Sequence, residues 1–287
     1  MIGTDLAADK LAAALSTRRL GTDYLFLPTC GSTSDEVATR SMASAEEGLL
    51  IATDEQSSGR GRRGRTWHSP PGENLYFSLL LRPALAPHRV APMTLAAGAA
   101  LAHALASLGF SPRLKWPNDV LLEGPSRVGE GGLCPRPAAA GLEPTNGLRK
   151  VAGILAEMAS ESGRVRHVVL GVGINVNTQC FPAELAEQAT SLALSRGGSL
   201  DRLQVLAAFL NAFEPLYDDL VAAGPASGLT AWQRFALFGQ SCWVEAGSQR
   251  VEGVAEAVDE SGALLIRKSD GGLIPVHAGE VNWRKTR

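Results

Sequence analysis

The chain has 287 residues, 45% of them hydrophobic and 20% charged. That apolar content fills a core and excludes a disordered chain, and the length suits about two domains. Lys and Arg number 27 against 29 Asp and Glu, for a net charge of -2 and a pI near 6.2, which argues against general electrostatic binding to nucleic acid or an anionic membrane but leaves room for a local basic site.

In chain order, MIGTDLAADK lacks the basic and apolar regions of a signal peptide, so a cytoplasmic protein is expected. Leu6, Leu11 and Leu15 have helical spacing and predict a short surface helix over 5–20. Leu25, Phe26 and Leu27 read as a strand closed by Pro28. Ser32, Thr33 and Ser34 stand where helix N-caps stand, ahead of a helix reaching about Met42. Strands are predicted over 48–53 and 75–81, the second so apolar that both its faces should be buried. The Ala-rich run 94–110 falls short of the roughly 20 residues a bilayer requires and reads as a buried helix. Further strands are expected over 113–122, 150–158 and 165–177. Between them, 123–149 turns to Gly, Pro, Ala and Ser, as an insertion or a mobile lid would. An amphipathic helix is predicted over 201–220. Short strands over 242–245, 251–258, 263–267 and 273–276, parted by Gly-containing turns, predict a small all-β meander attached near Gly239. Cys30, Cys134, Cys180 and Cys242 form no C-x-x-C pair and the histidines no H-x-x-x-H, so reduced thiols are expected, with neither a zinc site nor a disulfide scaffold.

Three segments carry chemistry. In Gly59-Arg60-Gly61-Arg62-Arg63-Gly64-Arg65-Thr66-Trp67, clustered arginines repel unless an anion neutralises them, and glycines allow close backbone approach. Trp67 adds an aromatic face for a nucleobase or an apolar ligand. The same run also reads as a nucleic-acid patch or a solvated loop; its place between a strand and a buried strand favours a binding site. Its spacing matches neither a P-loop nor a dinucleotide fingerprint. In Lys115-Trp116-Pro117-Asn118-Asp119, a lysine within an apolar strand suits a carboxylate and an α-phosphate that must approach each other, or else is a strand-edge lysine beside a turn. Asn118 and Asp119 read equally as turn formers or as ribose and metal contacts. In Gly171-Val172-Gly173-Ile174-Asn175-Val176-Asn177, the glycines let a ligand lie on the backbone, and an asparagine amide can read an adenine edge.

Together, S-T-S, Q-x-x-G-R-G-R-R-G-R-x-W, K-W-P-N-D, K-V-A-G-I-L-A-E and G-V-G-I-N-V-N closely resemble the biotin protein ligases, also called biotin–[acetyl-CoA-carboxylase] ligases. The resemblance runs from about Leu25 through the final meander. It implies an α+β fold: a catalytic domain over 1–237, with a mixed sheet flanked by helices as in class II tRNA synthetases, and an SH3-like C-terminal domain over 238–287. Too few residues precede Ser32 for the winged helix of repressor-type members, so the ligase-only class is expected. The implied biotin contacts are Ser32, Thr33, Ser34, Gln56, Gly59, Arg60, Gly61, Arg62, Lys115 and Gly153. Those implied for ATP or the adenylate are Arg62, Arg63, Arg65, Trp67, Lys115, Asn118 and Asn175, with Lys115 and Arg62 catalytic. Ser34 stands where many relatives carry Asn, and 123–149 is longer than the family's usual turn.

The implied reaction forms biotinyl-5′-AMP from biotin and ATP with Mg²⁺, then transfers biotin to a lysine of the biotin carboxyl carrier protein of acetyl-CoA carboxylase or a related carboxylase. No DNA or membrane partner is expected, and there is room for a homodimer. The competing readings are a lipoate or octanoate ligase of the same fold and a non-enzymatic nucleic-acid-binding regulator.

Overall fold

The computed structural model describes residues 4–43, 45–124, 147–247 and 249–283. Most of the expected insertion, with Cys134, lies outside the described residues. The larger sheet contains β1 (Tyr24–Cys30), β2 (Leu50–Gln56), β3 (Leu75–Leu81), β4 (Arg113–Lys115), β5 (Asp119–Glu123), β6 (Leu148–Glu161) and β7 (Arg164–Ile174). Their order is β1-β2-β3-β7-β6-β5-β4; β1 and β2 run parallel and the other neighbours antiparallel. All seven residues of β3 are buried, as its apolar run predicts. Pro28 does not close β1. The strand runs on to Cys30, because an edge strand has one unpaired side that tolerates a missing N–H. The expected strand over 113–122 is a hairpin, with Trp116, Pro117 and Asn118 forming the turn between β4 and β5.

On one face α3 (Ala91–Ser107) packs against α5 (Arg202–Ala222), which follows the short α4 (Leu192–Arg196), and against α6 (Ala226–Gln233). With the turn before it, α3 makes a 21-residue apolar run, Pro87–Ser107, long enough to cross a bilayer; 72% of its most apolar window is buried inside the fold, as in a core helix. Phe77 reaches from β3 to Phe209, 5.4 Å between ring centroids, and Phe209 stacks on Phe213 at 5.5 Å. On the other face α2 (Thr33–Met42) lies over β2, β3 and β7, where Val37 meets Ile51, Leu80 and Val169. The expected surface helix is a short turn, Thr4–Leu6, followed by α1 (Ala8–Ala14). Leu6 and Leu11 are fully buried, so this segment belongs to the core. Glu214 of α5 then accepts the N–H groups of Arg18, Arg19 and Leu20 at 2.6–3.0 Å, pinning the chain ahead of β1.

The second sheet holds β8 (Ser241–Ala246), β9 (Gln249–Val258), β10 (Leu264–Arg267), β11 (Leu273–Val276) and β12 (Val281–Trp283), all antiparallel in the order β11-β10-β9-β8-β12. The four-strand meander is present. β12, unread in the sequence, returns beside β8. The two sheets meet closely: Trp116 Nε1 donates to Gly262 O at 3.0 Å, and the linker pairs with the β4 edge through Leu114 N to Phe235 O and Leu237 N to Leu114 O. Cys30 and Cys242 are free thiols, but Cys180 is disulfide-bonded, against the expectation of reduced thiols throughout.

Candidate active site

A cavity of about 470 Å³ opens on the sheet face that carries α2, bounded by the Arg-rich segment and by the turn leading into β12. Strand register builds its floor. Lys115 pairs with Asp119, Asp119 with Gly153, and Gly153 with Gly173, so this row shares one face of the sheet. A Cβ on Gly173 would come within 2.5 Å of the Trp67 ring, and one on Gly153 within 3.0 Å. The two glycines therefore seat the protein's own indole, where the sequence suggested a bare backbone for ligand. Lys150 Nζ lies 5.2 Å from the Trp67 ring centroid and 2.7 Å from Asp119 Oδ1. Sequence reasoning missed Lys150 as a site residue; its signal was a lysine heading the K-V-A-G-I-L strand.

At the α2 end, Ser32, Thr33, Ser34 and Gln56 line the cavity. Ser32 holds the N-cap position, yet its hydroxyl makes no capping bond. Thr33 N donates to Gln56 Oε1 at 3.0 Å, and Gln56 Nε2 to Ser69 Oγ at 3.1 Å, tying the helix N-terminus to the far end of the Arg-rich segment. Thr33 and Ser34 both contact Ser78 Oγ, at 2.8 and 3.1 Å.

The Arg-rich segment is a small hairpin: Gly61 N donates to Arg65 O at 2.7 Å and Trp67 N to Gly59 O at 2.9 Å. Arg63 turns it with φ 58°, a left-handed backbone that non-glycine residues rarely adopt. The expected repulsion among its arginines is offset by the protein itself. Arg60 pairs with Asp35 and Glu157; Arg62 donates to Asn118 Oδ1 at 3.1 Å and Gly279 O at 3.3 Å; Arg63 donates to Glu245 O at 3.2 Å; Arg65 pairs with Glu280. Burial, with smaller contributions from Arg63 and Arg65, pulls Arg62 below the ordinary guanidinium value, and Asp119 opposes that shift. Arg60, Gly61, Arg62, Arg63, Arg65 and Trp67 all line the cavity, as do Lys115, Asn118, Gly153 and Asn175. Gly59 does not. A Cβ there would meet Trp67 O at 2.7 Å, so it serves close packing of the hairpin.

Asn118 and Asn175 spend their amides on the protein. Asn118 Nδ2 donates to Ile154 O and Asn175 Nδ2 to Thr190 O, both at 3.0 Å. Thr190 ends a segment that sequence reasoning missed, which runs beside Lys150 through Lys150 N to Gln188 O and Thr190 N to Lys150 O. From it Phe181, Leu185 and Glu187 line the cavity, and Glu187 Oε1 is buried without a hydrogen-bond partner. No periodicity marks this stretch. Among the described residues there is no cluster of three or more metal-ligating side chains.

A mixed sheet whose loops gather hydroxyls, lysines and an arginine hairpin around one cavity, closed by a small antiparallel sheet, is the architecture of the biotin protein ligase fold. Residues 29–175 match the Biotin/lipoate A/B protein ligase family, and 237–282 match the Biotin protein ligase C terminal domain. The Bifunctional ligase/repressor BirA of Bacillus spizizenii is 32% identical over 93% of this chain and 76% of its own length. The Biotin--[acetyl-CoA-carboxylase] ligase of Paracoccus denitrificans is 32% identical over 80% of this chain and 88% of its own. A Biotin protein ligase from Aquifex aeolicus, solved with biotin and ATP, superposes with a TM-score of 0.71 at 25% identity, covering 92% of this chain and all of that one. The chain therefore belongs to the biotin/lipoate A/B protein ligase family, among its biotin protein ligases.

Proposed function

We propose that the cavity binds biotin at its α2 end and ATP, brought as the Mg²⁺ complex, toward Lys150 and the 181–190 segment. The carrying observation is the convergence of uncharged hydrogen-bonding groups at one end with Lys115, Lys150 and Arg62 in the same cavity. The biotin carboxylate attacks the α-phosphorus, pyrophosphate leaves, and biotinyl-5′-AMP remains. Two anions must meet, so the cations offset their repulsion and align them. A lysine of a carrier domain, read as the biotin carboxyl carrier protein of a carboxylase, then attacks the acyl carbon and AMP leaves. Its need for ATP suits a cytoplasmic setting.

A lipoate ligase is disfavoured by the C-terminal match, and a nucleic-acid binder by arginines already engaged with the protein's own acceptors. The test is pyrophosphate release from ATP with biotin, with lipoate, and with neither. Release that requires biotin supports the reading; release driven equally well by lipoate overturns it.

A further inference from the structure

β3 reads Leu-Tyr-Phe-Ser-Leu-Leu-Leu, and its one serine, Ser78, is fully buried on the site face without lining the cavity. Its surroundings fix which way its own hydroxyl hydrogen and those of Thr33 and Ser34 point. The Thr33 backbone N–H can only donate, so the Gln56 atom 3.0 Å away is the amide oxygen. Thr33 Oγ1, 3.3 Å from that same oxygen, must also donate to it. With its hydrogen committed, Thr33 Oγ1 accepts from Ser78 Oγ at 2.8 Å. Ser78 has then spent its one hydrogen, so Ser34 Oγ donates to it across 3.1 Å. The other side of Gln56 agrees, since Nε2 donates to Ser69 Oγ and Ser69 Oγ to Trp67 O. Gly171, the register partner of Ser78, keeps room for this chain: a Cβ there would lie 2.8 Å from Ser34 Oγ.

We infer that Ser78 is a positioning residue that orients Thr33 and Ser34 so that both present only lone pairs to the ligand. This rests on the biotin reading and deepens it: the α2 end selects rings that carry N–H donors, as a cyclic urea does. A ring without them, such as a dithiolane, leaves desolvated acceptors unpaired and is rejected.

The test measures biotin-dependent pyrophosphate release by the natural chain and by Ser78→Ala, with biotin and with biotin methylated on a ureido nitrogen. Ser78→Ala should raise KM for biotin about three- to tenfold, the worth of about one hydrogen bond, and leave kcat little changed. It should also shrink the penalty for the methylated ring, because Ser34 is no longer held as an acceptor for the ring N–H, whereas a merely structural role leaves the two losses additive. Ser78→Cys, similar in size with a weak donor, should fall between the two and carries the same comparisons if Ser78→Ala does not fold. An unchanged KM, or additive losses, overturns the inference while the biotin reading stands. A natural chain that releases no biotin-dependent pyrophosphate overturns that reading itself.

Discussion

Lys115 and Lys150 reach one cavity from different strands. Lys150 is held by Asp119 above the Trp67 ring, so its charge is partly spent within the protein. Lys115 sits at the end of the cross-strand row on the floor. Lys115→Ala should slow adenylate formation by about a hundredfold or more, the scale of losing one donor to a developing charge, as read by single-turnover pyrophosphate release. Near-normal release would leave Lys115 a structural lysine. Gly173→Ala tests the floor directly. The added methyl collides with the indole, so Trp67 must shift; the expected results are a raised KM for ATP and altered tryptophan emission, at a stability cost of about 1–3 kcal/mol for overpacking.

At the scale of elements, the arginine hairpin is fastened to the second sheet at Glu245, Gly279 and Glu280. Arg62→Gly removes the contacts to Asn118 and Gly279, so the adenylate should escape before transfer, seen as biotinylation of bystander lysines. Strict carrier selectivity in that variant would refute retention by the hairpin. Glu280→Gln weakens a half-exposed ion pair worth about 0–1 kcal/mol, so it should speed amide exchange across the hairpin while leaving the unfolding temperature nearly unchanged. Much of this architecture was legible in the sequence. β3 and α5 announce themselves by almost uninterrupted apolar content and by helical period, and residues of the hydroxyl, arginine and lysine motifs line one cavity. What escaped is what depends on distant partners. Nothing local marks the 181–190 segment, whose backbone is held by Lys150, or the three residues of β12. Trp116 and Pro117 hide a hairpin turn inside an apolar run, and only the opposing glycines show that Trp67 is seated by the sheet.

For the whole molecule, stability should fall with acid in two stages. His167 is buried beside Arg82 and Arg166; burial first, then those charges, lower its pKa from 6.5, so it folds neutral and the unfolded chain takes the proton first. That contribution is complete above pH 6.5 and is lost as the pH falls through the lowered value. Glu214 follows. Burial raises its pKa, but the N–H groups of Arg18, Leu20 and Arg19 outweigh burial, and the net shift is below 4.5. Its contribution holds above 4.5 and fades below it, so Glu214→Gln should flatten the lower stage of a thermal-melt series against pH. Binding acts in the other direction: a ligand held only by the folded chain adds about 4 kcal/mol at a thousand times its dissociation constant, which calorimetry with biotin and ATP can read.

Ser32 and Asn282 border the same cavity, one near the start of the chain and the other near its end. During synthesis from the amino end, every strand of the larger sheet is made while the carbonyl that receives Arg62 and the carboxylate that receives Arg65 are still to be translated. A partly made chain on the ribosome thus has Lys115 and Lys150 before it has the groups that fasten the arginine hairpin. Both of these acceptors, Gly279 and Glu280, lie in the turn just ahead of β12, far along the chain from the arginines they hold.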